Sequence, residues 1–264
     1  MKFFLILIFS ILLNFKVFSQ LQNNLKARFY DGRFLVYASN YKLAEEVGYK
    51  IREIYNKTIE KLGYVDAYKT QYQIFIWQNK DELLKFLEKI KLTNPEQISA
   101  VALYNYKEIP TIACYYNERL IEELQHEFTH LLIVRILDVS TKEIPLWLNE
   151  GLAMYISKDS VINTNNFLKN SPSFIELSKL LDLDDYPKDK KERDLFYLES
   201  HSLVNFLIDK AKNREVFMSF LRWFVKKGYP FKKAYLYSYN IEINLEKFQE
   251  EWRSYIKKGD GYGN

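Results

Sequence analysis

Residues 126–130 read His-Glu-Phe-Thr-His, and they contain two of the three histidines in this 264-residue chain. In an α-helix, residues four apart lie on one face, about 5–6 Å from each other, so two imidazoles at this spacing can bind one metal ion. Glu127 is rotated by only about 100° from His126, so its carboxylate can reach a water on that ion without being a ligand. A catalytic zinc commonly takes three protein ligands, so a third ligand must come from another part of the chain.

The candidate for this third ligand is Glu150, in the sequence WLNEGLA, twenty residues after His130. The separation leaves room for the first helix to end, for a loop at residues 140–143, and for a second helix that packs against the first. Gly151 follows the glutamate directly, and its small size permits a close approach between helices. We therefore predict that His126, His130 and Glu150 bind Zn²⁺, with one ion per chain.

The chain before this motif mixes strand and helix patterns. β-Branched and aromatic runs predict strands at residues 33–39, 72–78, 99–106 and 111–116, with a turn near 107–110. Apolar residues at three- and four-residue steps predict helices at residues 42–63 and 80–92. The single cysteine, Cys114, lies in the last strand, where we expect it to be a small apolar residue.

From the histidine motif onwards the pattern is helical. Asn117 can cap a helix that runs to about Leu137, and Pro145 is well placed to begin the helix that carries Glu150. The segment at 182–194 is rich in charge, and we interpret it as a solvated loop. Further helices are predicted at residues 174–181, 195–212, 215–226, 230–237 and 245–257.

These elements predict an α+β fold. A strand-rich N-terminal lobe, about residues 20–138, holds a small mixed sheet with helices, and a helical C-terminal lobe covers about residues 139–264. The active-site helix is expected between them. Together the two lobes form one domain, residues 20–264, that follows a leader at residues 1–19.

Residues 1–19 have the features of a secretory signal peptide, namely an early lysine, an apolar core and small residues at the cleavage spacing. The protein is therefore expected to be exported, to the periplasm or the medium; an uncleaved membrane anchor is the alternative. Removal of two lysines leaves 36 basic and 34 acidic side chains, because the leader contains no acid. This balance argues against nucleic acid as a partner. No later segment is long and apolar enough for a membrane span.

HEFTH followed by NEG at this distance resembles the gluzincin metallopeptidases, the group that contains thermolysin. The sequence is most similar to the small, minimal peptidase MA-like domain of bacterial exported proteins, and the likeness covers roughly residues 28–257. It implies a zincin fold with His126, His130 and Glu150 as zinc ligands. It also implies that Glu127 is the general base and acid, acting on a zinc-bound water to hydrolyse peptide or protein substrates.

The resemblance extends to a Tyr-x-x-Ser helix, which falls on Tyr197 and Ser200. The Tyr197 hydroxyl is predicted to donate a hydrogen bond to the oxyanion that forms during hydrolysis. His201 stands one turn further along the same helix face and could do this instead, or line the cleft. For Tyr197 the alternative is that it is one more packed aromatic residue.

One position departs from thermolysin. Four residues after the third ligand, thermolysin has an aspartate that supports a histidine ligand, and this chain has Met154. Ligating histidines nearly always have such a partner. Either Asn149 or a backbone carbonyl must therefore orient the imidazole.

Three further expectations concern the substrate. The strand at 111–116 could form the edge on which an extended peptide adds as a further strand. A protein of the same fold could instead bind peptides or envelope partners without cleaving them, although Glu127 argues against a pure binding role. A hydrolase of a non-peptide amide is the third possibility.

Overall fold

The structure is a computed structural model that describes residues 25, 27–62, 70–92, 95–104, 109–157 and 164–258. The predicted signal peptide and the first half of the predicted turn near 107–110 lie outside the described residues. Within these ranges the protein is a mixed α+β structure. Its internal packing divides the chain into two units, one up to Leu131 and one from Leu132 onwards.

The sheet belongs to the first unit. Its five strands are β1 (Ala27–Tyr30), β2 (Phe34–Ala38), β3 (Tyr72–Trp77), β4 (Ala100–Leu103) and β5 (Thr111–Tyr115). They are arranged in the order β1-β2-β3-β5-β4. β2, β3 and β5 run parallel, whereas β1 is antiparallel to β2 and β4 is antiparallel to β5. The parallel strands are the most buried ones, as expected for strands covered on both faces.

The order of the strands corrects one expectation. β5 is hydrogen-bonded to β3 on one side and to β4 on the other, so it is an interior strand. The prediction that the strand at 111–116 forms an edge for an extended peptide is therefore wrong. Among the described strands, β4 lies at that edge of the sheet and pairs only with β5. Cys114, in β5, is fully buried and unpaired, as its surroundings predict.

Helices cover this sheet. They are α1 (Tyr41–Leu62), α2 (Lys80–Lys89) and α3 (Leu120–Leu137), with a short 3₁₀ turn at Pro95–Gln97. α1 buries an apolar stripe that includes Val47, Ile51 and Ile54, and these three- and four-residue steps are what predicted the helix. α2 begins where the Asn79 side chain accepts a hydrogen bond from the Glu82 backbone N–H.

Phe128 anchors α3 in the first unit. It lies between the two histidines of the motif in sequence, and it is rotated by about 200° from His126 around the helix axis. Its fully buried ring packs edge-to-face with Tyr72 of β3 at 4.9 Å and with Phe34 of β2 at 5.9 Å. The packing of one face of α3 against the sheet therefore leaves the histidines on a different face.

In the second unit, the described residues form helices and turns but no strand. The helices are α4 (Leu146–Ser157), α5 (Thr164–Lys169), α6 (Leu177–Leu181), α7 (Lys190–Lys210), α8 (Arg214–Leu221), α9 (Phe231–Tyr239) and α10 (Leu245–Lys258). A π-helical turn at Arg222–Lys226 continues α8. Before α4, Ser140 and Glu143 form a capping box on a 3₁₀ turn. Of the helices described in either unit, none is both long and apolar enough to span a membrane.

Two predicted helices in this unit begin at other residues than expected, and one helix was missed. The helix predicted at 174–181 begins only at Leu177. The helix predicted from residue 195 begins five residues earlier, because Asp189 accepts hydrogen bonds from the backbone N–H groups of Lys191 and Glu192 and caps α7 there. The end of the supposed loop at 182–194 is therefore helical. α5 was not predicted.

The close contact between α4 and α7 depends on Gly151. A Cβ atom at this position would lie 2.4 Å from the Ser200 carbonyl oxygen and 2.7 Å from Cγ2 of Val204. Both distances are far below van der Waals contact, so no larger residue fits without moving backbone. The glycine after Glu150 thus brings α4 against α7, which sets the position of the glutamate.

Candidate metal centre

The two motif histidines are neighbours on α3. Their ring centroids are 4.8 Å apart and the ring planes are nearly perpendicular, at 82°. His130 is only 6% exposed, whereas His126 is half-buried. The spacing of four residues has therefore brought the two imidazoles together, as predicted from helix geometry.

Glu150 joins them. It is 4% exposed on α4, and potential ligand atoms of His126, His130 and Glu150 all lie within 4.8 Å of one another. Two imidazole nitrogens and one carboxylate oxygen are the donor set of many catalytic zinc sites, which leave a fourth position for water. A buried carboxylate beside two imidazoles is also costly unless it is compensated, and a divalent cation provides that compensation. The three residues fit a zinc ion.

Glu127 has a defined orientation. Its Oε2 accepts a hydrogen bond of 2.8 Å from the backbone N–H of Ala102, in β4. This N–H therefore points away from β5, toward the open side of the edge strand. The contact places the Glu127 carboxylate beside the edge strand β4. Glu127 is also the residue that directly follows His126.

A residue outside the motif contacts Glu150, the predicted third ligand. The hydroxyl of Tyr186 donates a hydrogen bond of 2.6 Å to Oε1 of Glu150. Tyr186 lies in the loop between α6 and α7, inside the segment that we interpreted as a solvated loop. The only sequence signal is that it is the one aromatic residue in that charged segment, at residues 182–194.

The structure places Tyr197 next to Tyr186. Their ring centroids are 5.9 Å apart, and Phe196 packs against both rings. Tyr197 itself is half-buried on α7. The ring of Tyr186 therefore lies between Tyr197 and the contact with Glu150.

His201 has different surroundings. It is 4% exposed, its Nδ1 lies 2.7 Å from the Thr164 hydroxyl, and its Nε2 lies 3.1 Å from the Asn205 side-chain nitrogen. Both ring nitrogens therefore have partners on α5 and α7. Oxyanion stabilisation by Tyr197 or by His201 stays a prediction.

Comparison with known families agrees with the site. A sequence model described as the peptidase MA superfamily matches residues 60–258, about three quarters of the chain. The protein belongs to the peptidase MA superfamily, which confirms the resemblance found in HEFTH and NEG. No curated protein matches the chain significantly.

Proposed function

We propose that this protein is an exported zinc metallopeptidase. The observation that carries the proposal is the convergence of His126, His130 and Glu150 within 4.8 Å. Glu127 follows His126 directly in the sequence. Membership of the peptidase MA superfamily supports it. The superfamily also has non-catalytic members, so the proposal depends on Glu127, which a purely binding protein would not need.

The two histidines and Glu150 would hold the ion. Zinc supplies a Lewis acid for the scissile carbonyl and lowers the pKa of a bound water toward neutrality. The buried positions of His130 and Glu150 limit the access of bulk water to two of the three ligands. Low exposure also strengthens the electrostatic interactions inside the site.

Glu127 would move the proton. One carboxylate oxygen is held by the Ala102 N–H, which fixes the plane of the carboxylate. Glu127 would take a proton from the attacking water and transfer it to the nitrogen of the leaving amine. Glu127 is not one of these three residues, so His126, His130 and Glu150 would be free to hold the ion while Glu127 moves the proton.

β4 would position the substrate. An extended peptide can pair with the open side of an edge strand through backbone hydrogen bonds. Because the Ala102 N–H faces Glu127 from that side, a peptide that adds to β4 passes beside the base. The proposed substrate-binding edge is therefore β4 instead of β5, and the peptide is still expected to bind by adding as a further strand.

The experiment is a peptide-library digestion by residues 20–264, with and without a chelator. Wild type should cleave, and the chelator should abolish cleavage. Glu127→Gln is the matched variant, because it keeps every ligand and removes only the base. Equal cleavage by wild type and by this variant would contradict the mechanism, and no cleavage by either would favour a binding protein.

Export belongs to the same proposal. It depends on residues 1–19 acting as a cleaved signal peptide. Expression of the full chain in a bacterium, followed by N-terminal sequencing of the protein in the periplasm and medium, tests it. A mature N-terminus near residue 20 is expected, and a membrane-bound chain with an intact leader would favour the anchor.

A further inference from the structure

We propose that Tyr186 is a positioning residue that holds the third metal ligand, Glu150, in its binding orientation. The inference rests on the proposed function, since it assumes that Glu150 binds a metal ion. Tyr186 lies 36 residues beyond Glu150 in sequence and is not part of the HEFTH and NEG motifs.

The contact is short and directional. The Tyr186 hydroxyl lies 2.6 Å from Oε1 of Glu150, a distance typical of an O–H donor bonded to a carboxylate. A carboxylate has two oxygens, and this bond engages one of them. The hydroxyl would therefore hold the Glu150 carboxylate in one orientation relative to a bound ion.

The tyrosine ring is itself held in place. Phe196, which is fully buried, packs edge-to-face against it at 6.0 Å and 87°. Tyr197 lies on it at 5.9 Å. Two rings on α7 therefore fix the direction of the Tyr186 hydroxyl, although the residue is 40% exposed.

α4 is consequently held to the α7 region at two adjacent residues. Gly151 meets the Ser200 backbone, and Glu150 meets Tyr186 in the loop that leads into α7. Asp189 begins α7 only three residues after Tyr186. The loop and the helix after it thus act together on one metal ligand, in the way that outer partners of metal ligands set ligand orientation.

The test compares Tyr186→Phe with wild type in zinc affinity, measured by competition with a chromogenic chelator. The substitution removes one oxygen atom and keeps the ring, so the packing on Phe196 is preserved. We expect zinc to bind roughly 10–100-fold more weakly, the usual effect of losing a partner of a metal ligand. The visible spectrum of the Co²⁺-substituted protein should also change, because it reports ligand geometry.

Tyr255→Phe is the matched control. The Tyr255 hydroxyl also donates to a carboxylate at 2.6 Å, that of Asp209, in the same unit but outside the metal centre. This variant should keep wild-type zinc affinity and the wild-type cobalt spectrum. Zinc-dependent increases in Tm, measured for all three proteins, separate the metal effect from any change in the stability of the apoprotein.

The results for wild type and Tyr186→Phe distinguish a failure of the proposed function from a failure of the positioning role. Failure of wild type to bind zinc would overturn the proposed function itself. Stoichiometric binding by wild type, with Tyr186→Phe identical to it in affinity and cobalt spectrum, would overturn the positioning role alone. Loss of folding in Tyr186→Phe, seen by circular dichroism, would also overturn it, because the contact would then be structural.

Discussion

Gly151→Ala tests how α4 is held against α7. The added Cβ would lie 2.4 Å from the Ser200 carbonyl oxygen and 2.8 Å from the Ser200 carbonyl carbon. These are backbone atoms inside a 21-residue helix, so they cannot rotate away as a side chain can. The two helices must separate, and Glu150, the adjacent residue, must move with α4.

Two opposing terms set the change in the free energy of unfolding that Gly151→Ala causes. Replacing glycine by alanine inside a helix stabilises the fold by roughly 0.5–1 kcal/mol. Overpacking of a filled core costs about 1–3 kcal/mol. The second term is larger here because backbone must shift, so the net loss should be about 1–2 kcal/mol. For a chain of this size, that lowers Tm by roughly 2–8 °C.

Gly48→Ala is the control. Gly48 is also in a helix, α1, and the three atoms nearest its added Cβ all belong to the ring of Phe29, a half-buried side chain on β1 that can reorient. Urea unfolding and chelator competition should be measured for both variants. Gly151→Ala should lose more stability and bind zinc more weakly, whereas Gly48→Ala should keep wild-type zinc affinity. Wild-type stability and zinc affinity in Gly151→Ala would refute this account of the contact.

Two other predictions follow from α7. Burial raises the pKa of Glu199, which is 0% exposed, from 4.5 to about 8. The folded state therefore favours the protonated carboxyl, so the contribution of Glu199 to stability should be fully present below pH 4.5 and lost, by an amount on the order of 5 kcal/mol, as the pH rises through 8. Urea unfolding at pH 5, 7 and 9 should show this fall in wild type and a much smaller one in Glu199→Gln. Tyr197→Phe should lower kcat by roughly 10²–10³ with little change in KM or zinc content, if its hydroxyl stabilises the oxyanion. His201→Ala should instead reduce mainly stability, because both ring nitrogens have buried partners; the opposite ranking of the two kcat values would move the oxyanion role to His201.

Local periodicity was sufficient to predict the helices of the metal centre. The four-residue spacing of His126 and His130 needs only helix geometry to bring the rings together. Pro145 correctly marked the start of α4, where its carbonyl accepts hydrogen bonds from the N–H groups of Leu148 and Asn149. Each of these signals lies within a few residues of its consequence.

Features that depend on distant contacts were missed or misassigned. β1 is four residues long and alternates between half-buried and exposed positions, so it has little apolar signal of its own. The choice between β4 and β5 as the edge depends on the pairing of strands, which residue patterns do not specify. Tyr186 reaches Glu150 from 36 residues away, out of a segment whose charge predicts solvent.

The most direct test of the central claim is the zinc content of the purified protein. Elemental analysis of wild type should find one zinc per chain, since His126, His130 and Glu150 form one three-ligand site. His126→Ala and Glu150→Ala should each lose most of it while remaining folded, and Glu127→Gln should keep it. Full zinc retention in Glu150→Ala, or none in wild type supplied with zinc, would contradict the assignment of this site.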